Sequence, residues 1–310
     1  MHAIAIALLF LNPVLWASFY AISKNALEAV DPISFATFEL SVAAVPALVI
    51  LLWLRRSVDR AVLRAGIELG AVLFVAVIGS TIALYFTTAT NTAFFPALNG
   101  AIAALIMIAV LRRRVAMETL VATGLATFGA VLVIATSTAG GGNPLGDFIA
   151  LGAAAVYTVY IFVIDRQTGS GRFPSARQLW AVSCVEIVVM AALGWLVLGL
   201  YGGSIGGLLD KPEVVEAGLY VGLFTTLAPT VIAVFFQRYV SPMTVALLYV
   251  LEPVWGAIAA ALVAGEAITP IGYIGGALIV VASLINILSS SRTEELPHGS
   301  KVPGEAVRSV

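Results

Sequence analysis

Three carboxylates pose the chemical question. Glu39, Glu186 and Glu252 each lie inside a long apolar run, where an ionised group costs several kcal/mol unless it is paired or faces a wet cavity. Glu252 directly precedes Pro253, which removes a backbone donor and bends a helix. Tyr249, Glu252 and Gly256 follow at helical spacing and share one face. A carboxylate so placed can bind an amino or other cationic group, or exchange a proton. It can equally be a structural acid satisfied by neighbouring hydroxyls. Glu186, about 12 Å along its helix from the nearer end, reads as a packing group. Glu39, nearer the opposite end of its own run, reads as a side chain that snorkels towards water.

Aromatic residues form a second constellation. Trp16 and Tyr20 share a helical face, as do Tyr157 and Tyr160, and Tyr85 and Trp255 are placed to join them. Such walls bury a flat or apolar solute and offer a polar handle. The alternative is anchoring at the lipid interface, expected for Trp53, Trp180, Tyr201, Tyr220 and Tyr239. Uncharged polar residues add to the set: Thr81, Tyr85 and Thr88 in one stripe, Pro96 and Asn99 together, and Thr226, Pro229 and Thr230 in another run. These contact a solute or bond helix to helix. The expected binding set is Trp16, Tyr20, Thr81, Tyr85, Asn99, Tyr157, Tyr160, Thr226, Tyr249, Glu252 and Trp255. Pro13, Pro229 and Pro253 are the expected hinges, and Pro46 a further interruption.

Catalytic constellations are missing from the sequence. His2 and His298 lie at the extreme ends, and Asp31, Asp59, Asp147, Asp165 and Asp210 fall at helix ends or in loops. No lysine is expected inside a helix to carry a Schiff base. No zinc-protease, nucleophile-elbow or phosphate-loop motif is present. Neither an enzyme nor a chain that hydrolyses ATP is expected, and no cofactor or metal. One cysteine, Cys184, excludes an internal disulfide framework.

The elements that position these residues follow from composition. Hydrophobic residues make up 61% of the 310 residues and charged ones 11%, with a mean hydropathy of +1.05. A soluble domain carries roughly 25% charge, so the lipid bilayer is the expected solvent. A net charge of −1 gives no reason to expect nucleic acid as a partner. Runs near 20 residues long, the span of one helix, occur at 3–23, 33–54, 66–88, 94–111, 119–136, 147–164, 178–200, 215–237, 243–263 and 269–289. The first lacks basic residues before its apolar stretch and a small-residue cleavage site, so it is expected to stay as a helix rather than leave as a signal peptide. The stretch 290–310 reads as a disordered tail.

Basic residues give the orientation, since they stay on the cytoplasmic side. With ten crossings, all but Lys24 and Lys211 of the 16 basic residues fall on the side that holds both termini. Both termini are therefore expected in the cytoplasm, with an inner membrane as the location. The segments 107–135 and 261–282 share a plan: a helix end, a charged turn, then a glycine (Gly124, Gly275) opening the next run. The chain divides into residues 1–139 and 140–289. An odd number of crossings per unit turns the second upside down relative to the first, the inverted-repeat plan of secondary transporters.

The stretch 225–285, with its LEPV core at 251–254 and GE at 265–266, resembles the EamA family of the drug/metabolite transporter superfamily. LWASFYAISK (15–24) is similar to the family's opening run, and GDFIALGAAAVYTVYIFVIDR (146–166) to the start of its second repeat. Glu39 stands where members commonly carry arginine, and the first repeat has no proline matching Pro253. The resemblance implies an all-α integral membrane protein of ten helices in two inverted five-helix repeats around a central cavity. It also implies a secondary transporter, often an exporter, of small metabolites such as amino acids, aromatic ones included, working by alternating access. Protons are a candidate coupling ion. A passive facilitator or channel is the alternative, and a non-transporting membrane scaffold a third reading.

Overall fold

Polar caps at the ends of apolar runs define the helices. The computed structural model describes residues 2–87, 89–112, 115–135, 143–169, 171–263 and 270–294. Asp31 accepts from the Ser34 amide at 2.8 Å and, with Pro32 in the first turn, opens α3 (Pro32–Trp53). Asp59 does the same from Val62 at 2.9 Å for α4 (Arg60–Phe86), and Asn143 with Pro144 opens α8 (Pro144–Thr168). Ser175 caps α9 (Ala176–Tyr201), which ends on Gly202 at φ 74°, the left-handed turn that glycine takes without strain. Each cap satisfies amides that an apolar solvent would leave unpaired.

Prolines decide where rods break. The first segment divides into α1 (His2–Leu9) and α2 (Leu11–Leu27), and α1 ends four residues before Pro13, where the ring excludes a helical carbonyl. In the ninth segment α13 (Pro242–Tyr249) likewise ends four residues before Pro253, and α14 (Glu252–Val263) follows. In the eighth, α11 (Pro212–Tyr220) and α12 (Ala228–Phe236) are joined through a π-helical stretch, Val221–Leu227, just ahead of Pro229. Pro46 makes no such break: α3 runs unbroken through it.

The crossing count is coarser than the expected ten. Among the described residues, six rods are long and apolar enough to span a bilayer: His2–Leu27, Pro32–Trp53, Arg60–Phe86, Pro144–Thr168, Ala176–Tyr201 and Pro212–Tyr239. The fourth expected span is assembled from short pieces: α5 (Ala89–Phe94), a 3-10 turn at Phe95–Leu98, α6 (Asn99–Leu105) and a π-helical turn at Ile106–Val110. The fifth is α7 (Met117–Ala135) and the tenth α15 (Pro270–Glu294), while α10 (Gly206–Leu209) is a single loop turn. Helix therefore continues to Glu294, past the expected limit of the last span. Thr88, Arg113, Arg114, Glu266, His298, the 139/140 boundary and the tail from 295 lie outside the described residues.

Neighbours across the two halves come in matched sets. α7 lies along α15, and α3 along α9; α4 packs on α8 and α9, while the α11–α12 rod packs on α2 and α3; α14 packs on α2, and α6 on α8. Exchanging the first five segments for the second five leaves that set unchanged. Glycines repeat the same rule at atomic scale. A Cβ on Gly70 would sit 2.5 Å from the Glu186 carbonyl oxygen, and one on Gly222 would sit 2.5 Å from that of Glu39; Gly66 and Gly218, one turn earlier, press on Val185 and Phe38. The two halves also carry an identical Gly-Ala-Ile-Ala-Ala at 100–104 and 256–260. This is a sharper repeat signature than Gly124, which has open space around it; on that helix it is Gly129 that packs on Gly275.

Outer surfaces are apolar, with Leu52, Trp53, Phe148 and Leu200 among the most exposed side chains. Basic residues segregate by end: Arg55, Arg56 and Arg177 meet around one surface hollow, whereas Lys211 donates to the Ala29 carbonyl, beyond the other end of α3, at 2.5 Å. Lys24, contrary to expectation, lies within a helix. Its Nζ donates to the Leu84 and Thr87 carbonyls at 2.9 and 2.8 Å, closing the end of α4. Glu68, inside the expected third span, bonds to Arg166 and Gln167.

Candidate functional site

Helices α2, α4, α5, α6, α8 and α14 line a buried cleft. Its polar lining is Trp16, Tyr20, Ser80, Thr92, Asn99, Tyr157 and Glu252, and Ala76, Ala150, Ala153 and Ala154 leave the room. Its cavity volume is about 10 Å³, enough for roughly one water.

At one wall the Tyr20 hydroxyl donates to Glu252 Oε1 at 2.6 Å. The Glu252 carboxyl is thereby held by a short hydrogen bond while still lining the cleft. Tyr157 is the centre of the aromatic wall, with ring centroids 5.1 Å from Trp16, 5.7 Å from Tyr160 and 5.8 Å from Tyr249. The Tyr249 hydroxyl accepts from Asn12 Nδ2 at 2.9 Å. The same Asn12 amide reaches the Pro229 carbonyl at 3.3 Å. Asn12 therefore ties together the three proline-associated breaks, because it precedes Pro13, bonds to Pro229 and holds the tyrosine that ends α13. At the opposite wall Thr158 donates to Asn99 Oδ1 at 3.1 Å, and Asn99 Nδ2 is buried with no partner among the described residues.

A second cleft, of similar cavity volume, adjoins the first through Trp16 and Ser80. Phe19, Glu39, Val77, Thr225 and Thr226 complete its lining.

The structure brings together Trp16, Tyr20, Asn99, Tyr157 and Glu252 in the main cleft, with Tyr249 one layer behind and Thr226 in the adjoining one. Other expected residues fall elsewhere. Tyr160 turns away and donates to Glu186 Oε1 at 2.5 Å. Thr81 spends its hydroxyl on the Val77 carbonyl within its own helix. Tyr85 is 45% exposed and stacks edge-on to Phe86, since it sits in the last turn of α4 with no helix over it. Trp255 packs against Phe10 at 5.8 Å, outside the cleft lining. Tyr220, expected at the lipid interface, donates instead to Ser18 at 3.1 Å. Glu39 does not snorkel: it is 0% exposed, and neither carboxyl oxygen has a partner among the described residues. Asn12, Ser80, Thr92 and Thr158 were not anticipated. Asn12 was within reach of the sequence, being a polar residue one turn before Trp16 on the same face.

The model of the EamA-like transporter family matches residues 3–135 and again 144–288. The chain belongs to the EamA-like transporter family. It is accordingly a multi-pass membrane protein built from two repeats, and its family moves small solutes rather than transforming them. No match is found among curated proteins. A solved structure described only as "Crystal structure of protein" superposes with a TM-score of 0.71 at 19% identity, over 94% of this chain and 99% of its own. That likeness extends to the fold alone.

Proposed function

We propose that this EamA-like transporter is a secondary active exporter of small amino-bearing metabolites, with amino acids and aromatic ones among them as the best fit. In this reading the two repeats are mounted upside down relative to each other in an inner membrane, both termini are cytoplasmic, and the cleft opens alternately to either side. One observation carries it: a carboxylate, Glu252, meets Tyr20, Trp16 and Tyr157 in a buried cleft whose lining holds no lysine or arginine among the described residues. The carboxylate suits an ammonium group, and the rings suit its apolar body. The unpaired Asn99 amide offers a donor for a carboxylate at the other end.

A specific feature favours a carrier over a passive facilitator. A cleft with room for one water does not conduct a solute, so passage requires the walls to move. The walls include α2 and α14, both next to proline breaks, where a change of bend needs few new hydrogen bonds. Segregation of the arginines to one end supports the cytoplasmic assignment of that end. The proton is the candidate coupling ion.

The test is counterflow of radiolabelled amino acids in proteoliposomes, with and without a pH gradient. Saturable, trans-stimulated uptake is expected, and Glu252→Gln and Tyr157→Ala should each cut it by about tenfold, the value of one charge-assisted bond or ring contact. Linear, non-saturating flux in the unmodified protein, or unchanged counterflow in both variants, overturns the reading.

A further inference from the structure

Glu39 has a cleft of its own, and its lining differs in kind from that of the main one. Both carboxyl oxygens are buried and unpartnered among the described residues, and Glu39 lines a space with room for about one water. The Thr225 hydroxyl donates to the Val221 carbonyl at 2.9 Å, so towards the cleft it can act only as an acceptor. Ser80 and Thr226 add two more oxygens. The pocket sets hydroxyl groups and the Trp16 indole, unpartnered among the described residues, around one carboxyl group, and Trp16 separates it from the main cleft.

No other ionisable side chain lines this pocket among the described residues. On the packed neighbours such groups are engaged elsewhere: Tyr20 with Glu252 and Lys24 with the end of α4; Glu68 with Arg166, and Tyr85 at the surface; Glu186 with Tyr160; Tyr220 with Ser18. No basic side chain among the described lining residues balances this carboxyl group.

We propose that Glu39 is the seat of a monovalent coupling cation, a proton or a sodium ion, next to the organic substrate and communicating with it through Trp16 and Ser80. The proposal rests on the transporter reading above and adds the site at which its driving ion binds. Occupancy neutralises the carboxylate, and the shared wall lets that event bias the shape of the main cleft. The two ions share one chemistry, a unit positive charge on a carboxylate with hydroxyl oxygens around it. A pH gradient and a sodium gradient, imposed separately on proteoliposomes, tell them apart.

The experiment reads two quantities on the same vesicles: counterflow without any gradient, which reports the main cleft, and accumulation driven by each gradient. In the unmodified protein one gradient should raise accumulation by about tenfold, the scale of coupling between two ligands. Glu39→Gln should abolish that rise and leave counterflow in place. Phe19→Tyr, which keeps the charge but sets a hydroxyl in the same small pocket, should reduce the rise as well and covers the case in which Glu39→Gln fails to fold. A gradient response retained in both variants overturns the proposal while leaving the transporter reading intact, as does a response to neither gradient alongside normal counterflow. Counterflow lost together with the gradient response in both variants places Glu39 in the substrate path and also overturns it. Absence of counterflow in the unmodified protein defeats the transporter reading, and this one with it.

Discussion

Glu39 and Glu186 occupy matching places in the two halves and have opposite fates. Each sits on the helix that pairs with its counterpart, α3 against α9, and the carbonyl of each lies under the second glycine of a Gly-x-x-x-Gly pair, Gly218/Gly222 over Glu39 and Gly66/Gly70 over Glu186. Both carboxylates are wholly buried. The difference is one hydroxyl. Tyr160 donates to Glu186, whereas Phe19, which lines the Glu39 cleft, has none to give. Close backbone approach at the glycines is shared scaffold; the single aromatic difference gives Glu186 one hydrogen bond, with its Oε2 unpartnered among the described residues, and gives Glu39 none.

Four variants test how far that symmetry holds. The largest effect is expected where the halves are alike: Gly70→Ala and Gly222→Ala each drive a methyl into a backbone carbonyl, and each should cost about 3 kcal/mol. Thermal unfolding in detergent should show the two losses to be similar, and a large loss at one glycine only would break the equivalence. Next, Tyr160→Phe recreates the Glu39 situation at Glu186, leaving a buried acceptor unsatisfied, and should cost about 2 kcal/mol by the same measurement. The smallest effect is the reverse exchange: Phe19→Tyr should gain about 1 kcal/mol, one net hydrogen bond. A loss there would mean that the hydroxyl does not find Glu39.

Much of the scaffold was readable before the structure. Apolar runs, capping residues and prolines placed most rods and their breaks because those signals act within a few residues of where they stand. The breaks at Leu9 and Tyr249 fall one turn ahead of Pro13 and Pro253, as ring sterics require. Pro46 shows the limit, because its helix stays whole. The cleft was half readable: Trp16, Tyr20, Tyr157 and Glu252 lie on faces that periodicity can identify. Periodicity does not say which neighbour covers a face. Thr81 and Tyr85 share one, yet the first is buried and the second exposed because the helix ends beside it. Glu39 was misjudged for a related reason, since the glycines that bring another helix over it lie almost two hundred residues further along the chain.

Asn12 contributes one amide group to three separate helical discontinuities. Its two N–H bonds go to different rods, one to the carbonyl of Pro229 and the other to the Tyr249 hydroxyl, while its own backbone leads into Pro13. Straightening any one of these bends pulls on the remaining two or forfeits a bond with no water at hand to replace it. One buried side chain is thus shared by three discontinuities that lie far apart in the chain, so removing it disturbs all of them together.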